Sequence, residues 1–217
     1  MDEHTIINND DLDNGEFNGG RFLEDRRSDL RASIEYFSNK NKAERERWVC
    51  INFMENLGIN FDETEVISPD DDPPDVIFRE ARFEIKEILD PGRRRHAEFK
   101  EELDRALHAT DPKDLLRPYT PKDMTPLQVG DLILSEIQGL KNYAPSARRN
   151  LDLLFYVDLI EHLLKDGPML ADLTFSAFEW RSIAALFGWG SFVFYAADDA
   201  PAILREHAGN LIRRKFA

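Results

Sequence analysis

Asp75, Glu84 and Lys86 are the residues of this sequence whose types and spacing best suit chemistry. Carboxylate oxygens are hard ligands that bind Mg²⁺ and leave several waters on it. A metal held in this way can activate one of those waters and neutralise the charge that builds up on a phosphate during in-line attack. A lysine beside the carboxylates would orient the water, and two negative neighbours favour its ammonium form. The three residues therefore predict metal-dependent phosphodiester hydrolysis, provided that they meet.

A β-hairpin would bring the three residues together. Two short runs of β-forming residues, 75–78 and 82–88, predict its strands, and a turn centred on Glu80-Ala81 would join them. The pairs expected across this hairpin are Phe78 with Phe83, Ile77 with Glu84, and Asp75 with Lys86. Because side chains alternate along a strand and opposed residues share a face, Asp75, Glu84 and Lys86 would project from one side.

The other face of the same hairpin is apolar, which gives it a surface to bury. We expect this face to carry Val76, Phe78, Phe83, Ile85 and Leu89. An alternative without chemistry stays open for the polar face. There, Asp75 and Lys86 would form an exposed cross-strand ion pair on a half-solvated sheet.

Pro74-Asp75 followed by Glu84-Ile85-Lys86 on the next apolar strand resembles the signature of the PD-(D/E)xK phosphodiesterase superfamily, which includes restriction-endonuclease-like enzymes. The likeness covers residues 40–160, where the predicted elements are similar to that superfamily's common core. It implies an α/β fold with a restriction-endonuclease-like core and a mixed central sheet flanked by helices. The whole chain further resembles a bacterial family of uncharacterised endonucleases.

The resemblance also implies roles for particular residues. Asp75 and Glu84 would bind Mg²⁺ or Mn²⁺, with the backbone carbonyl of Ile85 as an additional ligand, and Lys86 would serve the attacking water. A further carboxylate often comes from the first core helix of this superfamily. Glu46 falls on the apolar stripe of that predicted helix, so we expect it rather than Glu44 near the metal. A first-turn acid that favours the helix dipole is the equal alternative.

The predicted elements follow the order α-β-β-β-α-β, with additions at the C-terminal end. Helices are expected at residues 22–37, 42–57, 96–108, 127–141 and 201–216, and strands at 65–67, 75–78, 82–88, 151–157 and 191–196. Leu30, Ile34 and Phe37 recur at helical spacing in the first helix, and Gly58 stands where a C-cap glycine would end the second. We expect a flexible acidic tail over residues 1–20 and a single domain over residues 21–217.

The charge of the chain opposes a nucleic-acid partner, since 28 basic and 42 acidic residues give a net charge of −14. The first 29 residues hold nine acidic residues against three arginines, which softens this objection. Basic residues are bunched elsewhere, and the candidate phosphate contacts are Arg93, Arg94, Arg95, Arg148 and Arg149. Solvated surface is the simpler interpretation of these runs.

Several features favour ordinary structure over chemistry. Asp70-Asp71-Asp72 is typical of a solvated loop, and Gln138 of an exposed helix position. The single cysteine, Cys50, excludes an internal disulfide, and no group of cysteine and histidine residues has the spacing of a zinc site. No run of apolar residues is long enough for a membrane span and the start lacks a signal peptide, so we expect a cytoplasmic protein.

Nucleic acid is the expected partner, and the resemblance favours DNA over RNA. Two other classes stay open: a non-catalytic nucleic-acid- or protein-binding module that retains the nuclease fold, and a regulator whose acidic surface binds a basic protein. The net charge of −14 supports both. The sequence leaves the oligomeric state open, a homodimer included.

Overall fold

A computed structural model describes residues 18–169 and 173–214. They form two compact units. The smaller unit takes the described residues up to Asn39 together with Arg94–Pro118, and the larger takes Lys40–Arg93 and the described residues from Tyr119 onward. The predicted tail lies outside the described residues up to position 17, and its last two residues, Gly19 and Gly20, are helical instead. One domain over residues 21–217 stays a prediction.

The smaller unit is built on α1 (Gly19–Tyr36) and α3 (Arg95–His108). The Asn18 side chain caps α1 by accepting a hydrogen bond from the Arg21 amide, as expected for this residue type at a helix start. The apolar stripe predicted for the first helix is confirmed. Its side chains pack with those of α3 in a small core of Leu30, Ile34, Phe37, Phe99, Leu103, Ala106 and Leu115.

The larger unit contains a seven-stranded sheet among the described residues. In spatial order the strands are β1 (Val66–Ile67), β2 (Val76–Phe78), β3 (Ala81–Leu89), β5 (Asp152–Asp158), β7 (Ser182–Phe187), β8 (Gly190–Ala196) and β9 (Asn210–Arg213). The three central strands β3, β5 and β7 are parallel, and the remaining pairs are antiparallel. A separate parallel pair joins β4 (Lys122–Met124) to β6 (His162–Leu164). The predicted mixed central sheet is confirmed.

Helices cover both faces of this sheet, as parallel strands require. On one face, α2 (Lys42–Asn56) buries Val49, Cys50 and Phe53 against the hairpin, and Gly58 follows with a left-handed φ of 73°. On the other, α4 (Pro126–Gly139) packs Ile133 and Ile137. Three further helices are short: α5 (Pro145–Arg148), α6 (Leu173–Ser176) and α7 (Ala202–Arg205). None of the described helices is long and apolar enough to cross a membrane.

The register predicted for the β2–β3 hairpin is wrong by two residues. The observed pairs are Val76 with Phe83, Ile77 with Arg82, and Phe78 with Ala81. Arg79 takes a left-handed φ of 53°, which allows a tight two-residue turn at Arg79-Glu80, and its guanidinium is held by Glu65. A shift of two residues leaves every side chain on its predicted face. Asp75, one step beyond the paired residues, is thereby brought opposite Glu84 rather than Lys86.

The apolar face of the hairpin is buried as predicted, except that Leu89 is only half-buried. The C-terminal helix predicted for residues 201–216 is wrong. Helix α7 stops at Arg205, Gly209 turns the chain with a φ of 76°, and β9 then pairs with β8. The edge of β8 supplies hydrogen-bond partners for the backbone of these residues. The periodicity of the sequence alone does not reveal that such an edge is available. The buried strand β7 was not predicted.

Candidate metal centre

Carboxylates from the loop before β2 and from strand β3 meet at the hairpin. Asp75 directly precedes β2, Asp72 stands three residues earlier, and Glu84 lies within β3. One oxygen from each of these three carboxylates lies within 4.8 Å of the others. Asp75 and Glu84 are 8% and 2% exposed, whereas Asp72 is exposed. Such a set of hard oxygen donors, open on one side, could hold a metal ion.

Asp75 is held by both of its oxygens. Its Oδ2 accepts a hydrogen bond of 2.9 Å from the Ile85 amide, and its Oδ1 accepts one of 2.9 Å from Lys42 Nζ. The first contact ties the loop before β2 to the backbone of β3. The Ile85 side chain is buried in the core, and its carbonyl stays a predicted ligand.

Glu84 has one satisfied and one unsatisfied oxygen. Lys86 Nζ and Tyr143 Oη both donate short hydrogen bonds to Oε1, while Oε2 is buried and finds no hydrogen-bond partner within the described chain. A buried carboxylate oxygen without a partner is costly. Because Oε2 belongs to a carboxylate of the cluster, the residues present fit a cation.

Lys86 and Tyr143 are proton donors in this arrangement. Burial lowers the pKa of Lys86, but the hydrogen bonds and charge interactions with Glu84 and Tyr143 outweigh burial, so the pKa lies above its ordinary value. Burial and the hydrogen bond to Glu84 raise the pKa of Tyr143. At neutral pH Lys86 is therefore an ammonium and Tyr143 a neutral phenol.

Lys42 connects the predicted helix carboxylate to the cluster. Its Nζ lies 3.1 Å from Glu46 Oε1 and 2.9 Å from Asp75 Oδ1. The hydrogen bond to Asp75 is the largest of the effects that raise the pKa of Lys42. Burial, reinforced by the charge of Asp75 and opposed by Lys42, raises the pKa of Glu46 to about 7. Glu44 is exposed, as expected. Glu46 thus lies beside Asp75, with which it interacts both directly and through Lys42, and it lies outside the three-carboxylate cluster.

Three residues of the site were missed by sequence reasoning: Lys42, Asp72 and Tyr143. Asp72 had a signal, since it stands in an acidic run directly before Pro73-Pro74, yet such runs are typical of solvated loops. Tyr143 follows α4 and carries no motif. Gln138, on α4 itself, is exposed.

Three of the predicted phosphate contacts lie in the larger unit, and each makes an intramolecular contact. Arg93 donates to the carbonyl and the carboxylate of Asp158. Arg148 donates to the carbonyls of Leu140 and Phe178. Arg149 pairs with Glu179, although its side chain is 66% exposed. These contacts leave Arg149 the most accessible of the three.

The other two predicted contacts, Arg94 and Arg95, lie in the smaller unit. Arg95 is buried with its guanidinium 4.5 Å from the centre of the Phe37 ring, whereas Arg94 is exposed at the start of α3. A cation stacked on a ring in this way is part of the core. A nucleic-acid role for all five arginines stays a prediction.

The fold and the site together define a mixed α/β protein whose central sheet carries a cluster of carboxylates suited to a divalent cation. The model of a family described as "Putative endonuclease, protein of unknown function (DUF1780)" matches residues 19–216, so the chain belongs to this family.

One solved structure is similar over nearly the whole chain. It is a protein of unknown function from Pseudomonas aeruginosa strain PAO1, described as belonging to the monooxygenase superfamily. The TM-score is 0.58 at 22% identity, covering 91% of this chain and 97% of that chain. At this identity the likeness shows a shared fold alone. No curated protein matches the sequence.

Proposed function

We propose that this protein is a metal-dependent endonuclease of the PD-(D/E)xK type that hydrolyses phosphodiester bonds in nucleic acid, with DNA preferred. One observation carries the proposal. Asp72, Asp75 and Glu84 bring carboxylate oxygens within 4.8 Å of one another, and Lys86 stands two residues from Glu84 on the same strand. Membership of the family described as "Putative endonuclease, protein of unknown function (DUF1780)" supports it.

Asp75 and Glu84 would hold Mg²⁺ or Mn²⁺, with Asp72 as a third carboxylate and the Ile85 carbonyl as a further ligand. When bound, such an ion supplies Lewis-acid activation of a water and neutralises charge on the phosphate. Glu84 Oε2 is the oxygen left for this purpose, since Lys86 and Tyr143 occupy Oε1. Tyr143 is thus a positioning residue for Glu84.

Lys86 carries the part of the chemistry that needs a cationic donor. Its side chain is 30% exposed, so the ammonium can donate to a water or to a phosphate oxygen while it stays paired with Glu84. The raised pKa keeps it charged, and it therefore orients the nucleophile and offsets negative charge rather than removing a proton. Catalysis in this arrangement depends on Lys86 as a donor.

The proposal includes the predictions that accompany the site: a restriction-endonuclease-like core, one domain over residues 21–217 and a cytoplasmic location. The net charge of −14 favours a second candidate, a non-catalytic binding module with the same fold. The two candidates differ in a single outcome, which is cleavage.

Purified protein is incubated with duplex DNA, single-stranded DNA and RNA, each with Mg²⁺, with Mn²⁺ and with a chelator. We expect cleavage that requires metal and is lost in Lys86→Ala and Glu84→Gln. Lys100→Ala is the control, because Lys100 is exposed on α3 and outside the site. If the protein binds these substrates but cleaves none of them with either metal, the endonuclease proposal is wrong and the binding module takes its place.

A further inference from the structure

Three arginines converge on one carboxylate in the smaller unit. The carboxylate is Glu102 of α3, which is only 16% exposed. Arg26 of α1 donates to its Oε2 over 3.0 Å, Arg117 lies 3.3 Å from its Oε1, and Arg105 lies 3.9 Å from the same oxygen. Three positive charges against one negative charge leave an excess of two, in a chain whose net charge is −14.

A cavity of about 130 Å³ opens beside this group. Arg26, Arg105 and Arg117 line it together with Glu102, and Leu30, Ala106 and Leu115 form its apolar wall. Apolar surroundings strengthen the field of the guanidinium groups because they reduce screening by water. The cavity therefore presents concentrated positive charge in a partly desolvated space.

Arg105, which lines this cavity, has a side-chain donor that is not used within the described chain. Its Nε is buried and makes no hydrogen bond to any described part of the chain. A buried donor without an acceptor costs free energy that a ligand oxygen would recover. Arginine, moreover, offers its donors as a planar fork that matches the oxygens of a phosphate.

From these observations we propose that the cavity beside Glu102 binds a phosphate group, in addition to the candidate metal centre. The Glu102 carboxylate shows that Arg26 and Arg117 can hold an oxyanion there. A second anion would be attracted by the excess positive charge and would accept a hydrogen bond from Nε of Arg105. The ligand class is a phosphate ester or inorganic phosphate. The proposed endonuclease activity is not assumed, since no carboxylate of the metal centre takes part.

The test follows the Nε–H resonances of the arginines by NMR in full-length protein, with a chelator present so that metal binding is excluded. One arm titrates inorganic phosphate and the other a short DNA oligonucleotide without terminal phosphates. We expect a saturable shift of the Arg105 resonance. A shift in both arms indicates a site open to the nucleic-acid backbone, and a shift with inorganic phosphate alone indicates a small phosphate ligand. No saturable shift in either arm would overturn the proposal.

Two variants with opposite charge effects separate binding from structure. Arg105→Gln should weaken the binding of inorganic phosphate about tenfold, the effect of one lost charge-assisted hydrogen bond. Glu102→Gln should tighten it, because it removes the competing negative charge. Arg31→Gln on α1 is the matched control, since Arg31 is exposed and does not line the cavity.

Circular dichroism confirms that each variant is folded. If a Gln variant fails to fold, Arg105→Lys, which keeps the charge but loses Nε, replaces it and should weaken binding several-fold. Equal affinities of wild type, Arg105→Gln and Arg31→Gln, or weaker binding by folded Glu102→Gln, would refute the site.

Discussion

Lys42 Nζ lies 2.9 Å from Oδ1 of Asp75, so an ammonium from α2 contacts the carboxylate that we propose as a metal ligand. The same ammonium lies 3.1 Å from Glu46. Lys42 thus balances two partly buried carboxylates with a charge supplied by the protein itself. A divalent cation bound to Asp75 would meet this ammonium as a competitor, because both need the same negative charge.

The first prediction follows from that competition. Lys42→Met should raise the affinity of the protein for Mn²⁺ by about three- to fivefold, a modest effect because the Lys42 side chain is 57% exposed and screened by solvent. Titration calorimetry measures it. Lys40→Met is the control, since Lys40 is exposed in the turn before α2. Weaker or unchanged binding in Lys42→Met would mean that the ammonium does not compete with the metal.

The second prediction compares two neighbours in the acidic loop. Asp72 offers a carboxylate oxygen to the cluster and Asp70 does not. Asp72→Asn should therefore weaken the binding of Mn²⁺ about tenfold, the effect of removing one charged ligand, while Asp70→Asn should leave it unchanged. Titration calorimetry with Mn²⁺ measures the affinities of both variants. Equal effects of the two substitutions would mean that the loop acts through its net charge and not through a ligand.

The third prediction concerns Tyr143 as the residue that holds Glu84. Tyr143→Phe removes the hydroxyl that donates to Glu84 Oε1 and should lower the free energy of unfolding by about 1 kcal/mol. It should also reduce metal-dependent cleavage without abolishing it, because Lys86 still contacts the same oxygen. Urea denaturation and a cleavage assay measure the two effects. Tyr119→Phe is the control, since Tyr119 is 57% exposed.

An unchanged unfolding free energy in Tyr143→Phe would show that this hydrogen bond does not form in solution. Unchanged cleavage together with a lower stability would leave Tyr143 a structural residue and remove its proposed role in positioning Glu84.

The fourth prediction tests the apolar face of the hairpin. Ile85 is 8% exposed in the core beneath the site, and Ile85→Asp should destabilise the protein by about 3–5 kcal/mol, the cost of burying an unpaired charge. The same substitution at Ile67, which is 53% exposed in β1, should cost less than about 1 kcal/mol. Chemical denaturation of both variants gives the comparison. Similar losses at the two positions would mean that the strand faces are assigned incorrectly.

The sequence by itself determined which residues form α2 and the β2–β3 hairpin, and which side of the hairpin each side chain takes. Val49, Cys50 and Phe53 recur at helical spacing, and apolar and polar residues alternate through β3. These periods follow from local backbone geometry, so they can be recognised in a single amino-acid sequence. Asp75, Glu84 and Lys86 were found in this way and lie together in the structure.

Only the tertiary structure decided how the strands pair and which further residues belong to the site. The left-handed φ of Arg79 set the hairpin register, and the free edge of β8 made the chain after Gly209 a strand rather than a helix. Lys42 and Tyr143 reach the carboxylates from positions 33 and 59 residues distant in sequence from their partners. Contacts of this kind depend on how helices pack on the sheet, and no local pattern of residues encodes that arrangement.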